Sequence, residues 1–419
     1  MPHWSSITIK KNMCHRHGVP WTALQTILSV PALRRLRVHE ILFAPHRLTP
    51  SEFFSPASIA PLTSFTYTLG NVLASKNLPA PSELEALSAV LEAVCGTLEY
   101  LELTAASAPL DTLERLRWPR LRTLKLSGCR PQPQLRSYDS LFSNMPHLRF
   151  LALKIHVKEP PVPPASAPEE FPWPELEHLF LPLPLPENDP MYSRLPSSLH
   201  TLSLLSYPHY AQRHDSHVGH CDITPPRPTF EALETILRRC LTSAQLTRLE
   251  IEYAVPSRPG EDLLGLVVNA CPLLEELKLL RYRPDLEPDD PCRGPIRAWK
   301  PPHELAADIA RQLAPLTRLR TLRAHLDYGP PSDLSIVPLA RKNFLAVTLP
   351  AVALVVAQTV PPALESIALW VSSWTFKDRC LWAVFRIERG VDRLAVAVRR
   401  VGFEFADSSE LCYPGSWVG

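Results

Sequence analysis

The sequence predicts an α/β solenoid, a stack of short parallel strands joined by return helices and loops. Three observations predict it. A six-residue pattern, L-x-x-L-x-L, recurs twelve times in 419 residues. Seven of the eleven intervals between successive copies span 20 to 29 residues, the period of leucine-rich repeats. The positions between the leucines are often charged, as at Glu99 and Glu102, Arg122 and Lys125, or Glu275 and Lys278. Strands buried on both faces of an ordinary parallel sheet would carry β-branched runs there instead.

In chain order, residues 1–20 read as a partial N-terminal repeat or cap, because Ser6-Ile7-Thr8-Ile9 looks like the end of a repeat strand. Residues 21–398 are the solenoid. Its copies begin at Leu33-x-x-Leu36-x-Val38, Leu62-x-x-Phe65-x-Tyr67 and Leu98-x-x-Leu101-x-Leu103. The clearest follows, Leu121-x-x-Leu124-x-Leu126-x-x-Cys129, then Leu148-x-x-Leu151-x-Leu153, Leu176-x-x-Leu179-x-Leu181 and Leu199-x-x-Leu202-x-Leu204. Leu246-x-x-Leu249-x-Ile251, Leu274-x-x-Leu277-x-Leu279, Leu319-x-x-Leu322-x-Ala324, Leu364-x-x-Ile367-x-Leu369 and Val391-x-x-Leu394-x-Val396 complete the series. A strand alternates faces, so Leu124 and Leu126 point into the core while Thr123, Lys125 and Ser127 point away from it. No unit can bury its leucines alone, so neighbours must stack into one curved, irregular horseshoe with strands inside and helices and loops outside.

The return segments look helical where an apolar face recurs: Leu84, Leu87, Leu91 and Val94, or Phe230, Leu233, Leu237 and Leu241. Met145-Pro146 and Cys271-Pro272 end such segments, because proline cannot continue a helix. Pro-bearing insertions are expected near 159–174, 206–229 and 281–302, and 181–196 is too rich in proline for a regular element. Residues 399–419 read as a C-terminal tail.

Composition narrows the function. Proline is 47 of 419 residues, about twice average usage, while glycine is only 13, so phosphate-cradling loops have little to be built from. Lys plus Arg is 44 and Asp plus Glu is 42, giving a net charge of +2. Such a chain gains no long-range pull toward nucleic acid or an anionic membrane, and neither is expected as a partner. The most apolar stretch, 345–360, is interrupted by Pro350 and Gln358 and too short to span a bilayer. Nine unpatterned cysteines, no Asn-x-Ser/Thr sequon and no apolar leader point to a reducing compartment, cytoplasmic or nuclear.

Few motifs suggest chemistry. His214, His217, His220 and Cys221, with Asp215 and Asp222, have zinc-ligating side chains at close spacing. They sit in a Pro-flanked insertion without a second ligand pair, so a solvated polar loop is the simpler reading. Cys14-His15-Arg16-His17 is weaker still. There is no G-x-S-x-G or G-x-G-x-x-G, and Gly260 to Gly265 lacks the Lys-Ser/Thr of a phosphate loop. Arg34-Arg35-Leu36-Arg37 falls on a solvated strand. Pro160 to Pro163 and Pro225 to Pro228 are P-x-x-P arrangements that insertion loops explain. No cofactor, metal or catalytic residue is expected.

Units such as Val268-Asn-Ala-Cys-Pro-Leu-Leu-Glu-Glu-Leu-Lys-Leu279, Asn144-Met-Pro-His-Leu-Arg-Phe-Leu-Ala-Leu153 and Pro361-Pro-Ala-Leu-Glu-Ser-Ile-Ala-Leu369 run from a return segment straight into a strand. In this the chain resembles the leucine-rich-repeat region of F-box proteins of the divergent fungal type, over about residues 21–398. The consensus Asn/Cys position is met only at Cys129, which implies irregular curvature. The resemblance implies that the repeats bind a protein substrate for a cullin–RING ubiquitin ligase. The residues before Leu33 lack the Leu-Pro start of an F-box, so a Skp-type adaptor is implied only if an F-box is encoded upstream. The alternatives are a free-standing repeat scaffold or inhibitor and, last, a metal-dependent enzyme using the His-rich insertion.

A partner surface follows from strand phase. Between 98 and 204 the outward positions are Tyr100 and Glu102, Thr123 and Lys125, Phe150 and Ala152, and His178 and Phe180. Parallel strands about 4.8 Å apart bring these into one patch on the inner, concave face. Tyr100, Glu102, Lys125, Phe150, His178 and Phe180 are therefore the candidate partner-binding residues: aromatic anchors with a charged rim. The aromatics must be partly exposed and in contact. Pro-rich insertions folding over Phe150 and Phe180 would remove the patch.

Overall fold

The structure, a computed structural model, describes residues 4–10, 18–44, 59–69, 81–129, 138–157, 171–183, 186–207, 229–240, 245–255, 263–282, 301–326, 343–371, 381–391 and 395–405. Fourteen strands form one open α/β sheet in which spatial order equals chain order. The strands are β1 (Ser6–Lys10), β2 (Arg35–His39), β3 (Ser64–Thr68), β4 (Tyr100–Thr104), β5 (Thr123–Cys129), β6 (Phe150–His156) and β7 (His178–Pro182). They continue as β8 (Thr201–Leu205), β9 (Arg248–Ala254), β10 (Glu276–Tyr282), β11 (Thr321–His325), β12 (Ser366–Val371), β13 (Leu381–Arg389) and β14 (Ala395–Phe405). Neighbours from β1 to β12 pair in parallel, whereas β12–β13 and β13–β14 are antiparallel.

The repeat pattern explains the register. Leu36, Phe65, Leu101, Leu124, Leu151, Leu179, Leu202, Leu249, Leu277, Leu322 and Ile367 align strand to strand, and each is essentially fully buried. The leading leucines, Leu33 to Leu364, are buried beneath them at the bend. At that bend the chain makes a second ladder: Arg122 N–H donates to Glu99, Arg149 to Arg122, Glu177 to Arg149 and His200 to Glu177. Thus loops of very different length return to the same height.

Helices α1 (Trp21–Leu28), α2 (Pro81–Val94), α3 (Leu110–Arg115), α4 (Tyr138–Leu141), α5 (Phe230–Cys240), α6 (Leu263–Ala270), α7 (Pro302–Leu313) and α8 (Leu349–Thr359) pack with the inward strand residues into the main core. The described helices return to the same side, leaving the other sheet face free of described helices. None is long and apolar enough to cross a membrane; the apolar stretch 345–360 is a single π-helical turn (Phe344–Thr348) running into α8, which packs on α7 and β14.

Several expectations need correction. On α2 the buried face runs through Glu83, Ala86, Leu87, Val90, Leu91 and Val94, so Leu84 sits at its margin. The supposed irregular stretch 181–196 contains the end of β7 and a 3-10 helix, Pro190–Arg194, whose Met191 and Tyr192 enter the core. Within the 159–174 insertion, Trp173 is fully buried and its indole N–H donates to the Phe142 carbonyl at 2.8 Å. The copy at Val391 does not form a parallel repeat strand: Val391 is fully exposed, and Val396 lies in the antiparallel β14. That strand also takes residues 399–405 out of the expected tail.

Candidate functional site

Register brings the expected patch together. Tyr100, Thr123, Phe150, His178 and Thr201 stand in one cross-strand row, and Glu102, Lys125, Ala152, Phe180 and Ser203 in the next. The Phe150 ring lies 5.4 Å from His178 and 5.3 Å from Phe180, centroid to centroid. Lys125 Nζ sits between two rings, 5.4 Å from Tyr100 and 5.1 Å from Phe150. Both distances are within the reach of cation–π attraction. The Tyr100 hydroxyl donates to Glu102 Oε2 at 2.5 Å. Burial and that hydrogen bond hold the Tyr100 phenol well above its ordinary pKa, so it stays a donor.

His178 contacts Thr201 Oγ1 through Nδ1 at 2.9 Å. Burial, the largest cause, lowers its pKa, aided by His200 and Arg248 and opposed by Glu177. At neutral pH it is a neutral aromatic surface rather than a cation. Tyr100, Glu102, Lys125, Phe150 and His178 are all half-buried. Phe180 departs from expectation: it is only 7% exposed. Its row neighbours Ala152 and Ser203 are small, and Phe150 and the Lys154 ammonium, 5.7 Å from the ring, pack over the space they leave. Phe180 is a support for Phe150, not an exposed anchor. The intervening insertion residues that were expected to decide its cover lie outside the described residues.

Toward β8–β13 the same face changes character, which the sequence reading missed. Leu205, Tyr207, Leu280, Tyr282, Ala368, Trp370 and Trp382 form a second buried cluster there, separate from the main core. Trp370 and Trp382 meet edge-on at 4.8 Å, and His325 lies 5.0 Å from Tyr282. Charges are buried beside them. Glu250 accepts from Ser203 Oγ at 2.9 Å and from Arg248 Nη2 at 2.6 Å, Glu252 accepts from the Tyr282 hydroxyl at 2.9 Å, and Lys278 Nζ lies 5.8 Å from the Trp382 ring. The signal was present as apolar residues at outward positions, Leu205, Leu280, Ala368 and Trp370, where a solvated face would be polar.

No three His, Cys, Asp or Glu residues among those described could hold a metal together. The His214–Cys221 cluster, Cys14 to His17 and both P-x-x-P runs lie outside the described residues. Cys240 and Cys271 are buried thiols; burial pushes Cys271 up to about 12 and Cys240 higher still, so both are poor nucleophiles at neutral pH. The open half of the face presents aromatic surface, the Lys125 and Lys154 ammoniums and the Glu102 carboxylate, held at fixed spacing by the sheet. No protein-family model matches the chain, and no curated protein is significantly similar to it.

Proposed function

We propose that this chain is a non-catalytic protein-recognition scaffold of the leucine-rich-repeat kind, which engages a protein partner through the half-open part of its helix-free face. One observation carries the reading: Tyr100, Lys125, Phe150 and His178 come from four successive strands into one continuous, partly exposed patch. Aromatic rings restrained by their neighbours lose little freedom on binding, which is why such residues carry interface energy. The sealed cluster over β8–β13 confines the surface to the N-terminal half.

A photo-crosslinking amino acid at Phe150, with Val347 on the helix side as control, tests the proposal in cells. The expected result is a discrete protein adduct at Phe150, absent at Val347 and lost on combining Tyr100→Ala with Lys125→Glu. Equal labelling from both positions rejects the patch. The resemblance to F-box repeat regions supports a narrower form, the substrate-binding arm of a ubiquitin ligase. That form requires an F-box encoded upstream and recovery of a Skp-type adaptor with the longer product; without recovery, a free-standing scaffold or inhibitor remains.

A further inference from the structure

Beside the patch, the helix-free face of β2–β4 holds an open groove of about 560 Å³. Side-chain size explains its shape. The floor is β3, whose outward Ser64 and Thr66 are short, while Arg35 and Arg37 of β2 form one wall and Tyr100 and Glu102 of β4 the other. The two walls differ in charge. Arg35 and Arg37 are exposed, and neither has an ion-pair or hydrogen-bond partner for its side chain among the described residues.

Two other outward arginines on this face, Arg248 and Arg323, are answered. Arg248 reaches Glu250 and Glu276, and Arg323 reaches Glu404 at 3.0 Å. The carboxylate best placed to answer Arg37, two strands away on Glu102, is held by Tyr100. Lys10, exposed at the end of β1 opposite His39, adds a third cation beyond the wall. His39 lines the groove but contacts Thr68 Oγ1 at 2.6 Å, and its burial lowers its pKa, so the positive charge at neutral pH belongs to the arginines and the lysine.

Arg35 and Arg37 are alternate residues of one strand, so their side chains leave the sheet about 6.6–6.8 Å apart. Alternate side chains of any extended peptide have the same spacing. We propose that the groove binds an extended acidic segment of the protein partner, with carboxylates at alternate positions meeting Arg35 and Arg37. Its opposite edge then lies along Tyr100 and Glu102. A nucleic-acid strand fits less well, because Glu99 and Glu102 on the β4 side repel a continuous phosphate backbone. The inference rests on the recognition reading above and specifies the chemistry of part of its partner.

Fluorescence anisotropy on the full chain tests it. The probes are labelled peptides of about ten residues alternating Glu with Ala, or Lys with Ala, and a single-stranded oligothymidylate of similar length. The acidic peptide should bind best, and the double variant Arg35→Glu, Arg37→Glu should weaken it about tenfold or more. Thr66→Tyr, which fills the floor and leaves both arginines, should weaken it as well. Melting curves should match wild type for the arginine variant, since both side chains are exposed. Acidic and basic peptides binding equally, indifference to the charge reversal, or preference for the oligonucleotide would each overturn the proposal. Adducts at Phe150 with no acidic-peptide binding reject this inference alone. Acidic-peptide binding without such adducts rejects the aromatic patch instead.

Discussion

The alternation of Leu124 and Lys125 shows what single positions in this fold are for. Leu124 has no exposed surface and Lys125 is half-buried between two rings. Leu124→Ala should cost about 2–5 kcal/mol through lost transfer energy and a cavity. Lys125→Ala removes only cation–π contacts of about 0.5–1 kcal/mol each. Urea unfolding of the two variants checks this, and equal losses would refute the strand phase. That phase was legible from the leucine pattern. Glu83 was not, because helix periodicity placed Leu84 on the buried face. The Glu83 carboxyl is 1% exposed, accepts a hydrogen bond from the Tyr67 hydroxyl and lies against Ser107. Burial, the dominant cause, raises its pKa despite the Tyr67 hydrogen bond and the neighbouring Ser107 hydroxyl. A raised carboxyl favours folding while protonated, and that contribution is lost as pH rises through the folded pKa. Glu83→Gln keeps an acceptor for Tyr67 and removes the charge. Its melting temperature should exceed wild type at neutral pH, with the gap closing toward about pH 4; a constant gap would show that Glu83 does not titrate with folding.

Elements that obey the repeat were readable, and those that replace a repeat's return helix were not. Between β7 and β8 the expected loop is a 3-10 helix because Pro190 occupies its first position, where a missing N–H costs nothing. Asp189 caps it, its side chain accepting from Met191 N at 2.8 Å, and this sets Met191 and Tyr192 into the core. Proline content alone said only that an α-helix could not run there. Asp189→Ala should destabilise by about 1 kcal/mol, with Asp189→Asn restoring most of it, as read from denaturant midpoints. An unchanged midpoint in the alanine variant would mean that packing, not the cap, holds the segment. The C-terminal hairpin escaped for the opposite reason. Val391, Leu394 and Val396 reproduce the repeat spacing by chance in an apolar segment, while β13 carries no repeat signature at all. One hexapeptide is weak evidence; only its place in a periodic series made the earlier copies reliable.

Across the whole molecule, consecutive strands and helices touch mainly their sequence neighbours, so stability should be transmitted step by step. The second apolar cluster modifies that rule. It ties β8, β10, β12 and β13 together on the helix-free face, in addition to the main core behind them. The C-terminal half is therefore clamped on both faces, whereas the β2–β7 half is clamped on one and leaves the other partly open. Trp382, fully buried and edge-on to Trp370, is the centre of the clamp. Trp382→Ala should cost about 3–5 kcal/mol, and Trp382→Phe less because an aromatic ring is retained. In hydrogen exchange the loss of protection should be concentrated in β10–β14 and fade toward β2–β5, where the acidic-peptide groove should keep its affinity. Uniform loss from β1 to β14 would instead mean that the sheet unfolds as one cooperative unit. In that case the open half could not be loosened or held independently of the sealed half that anchors it.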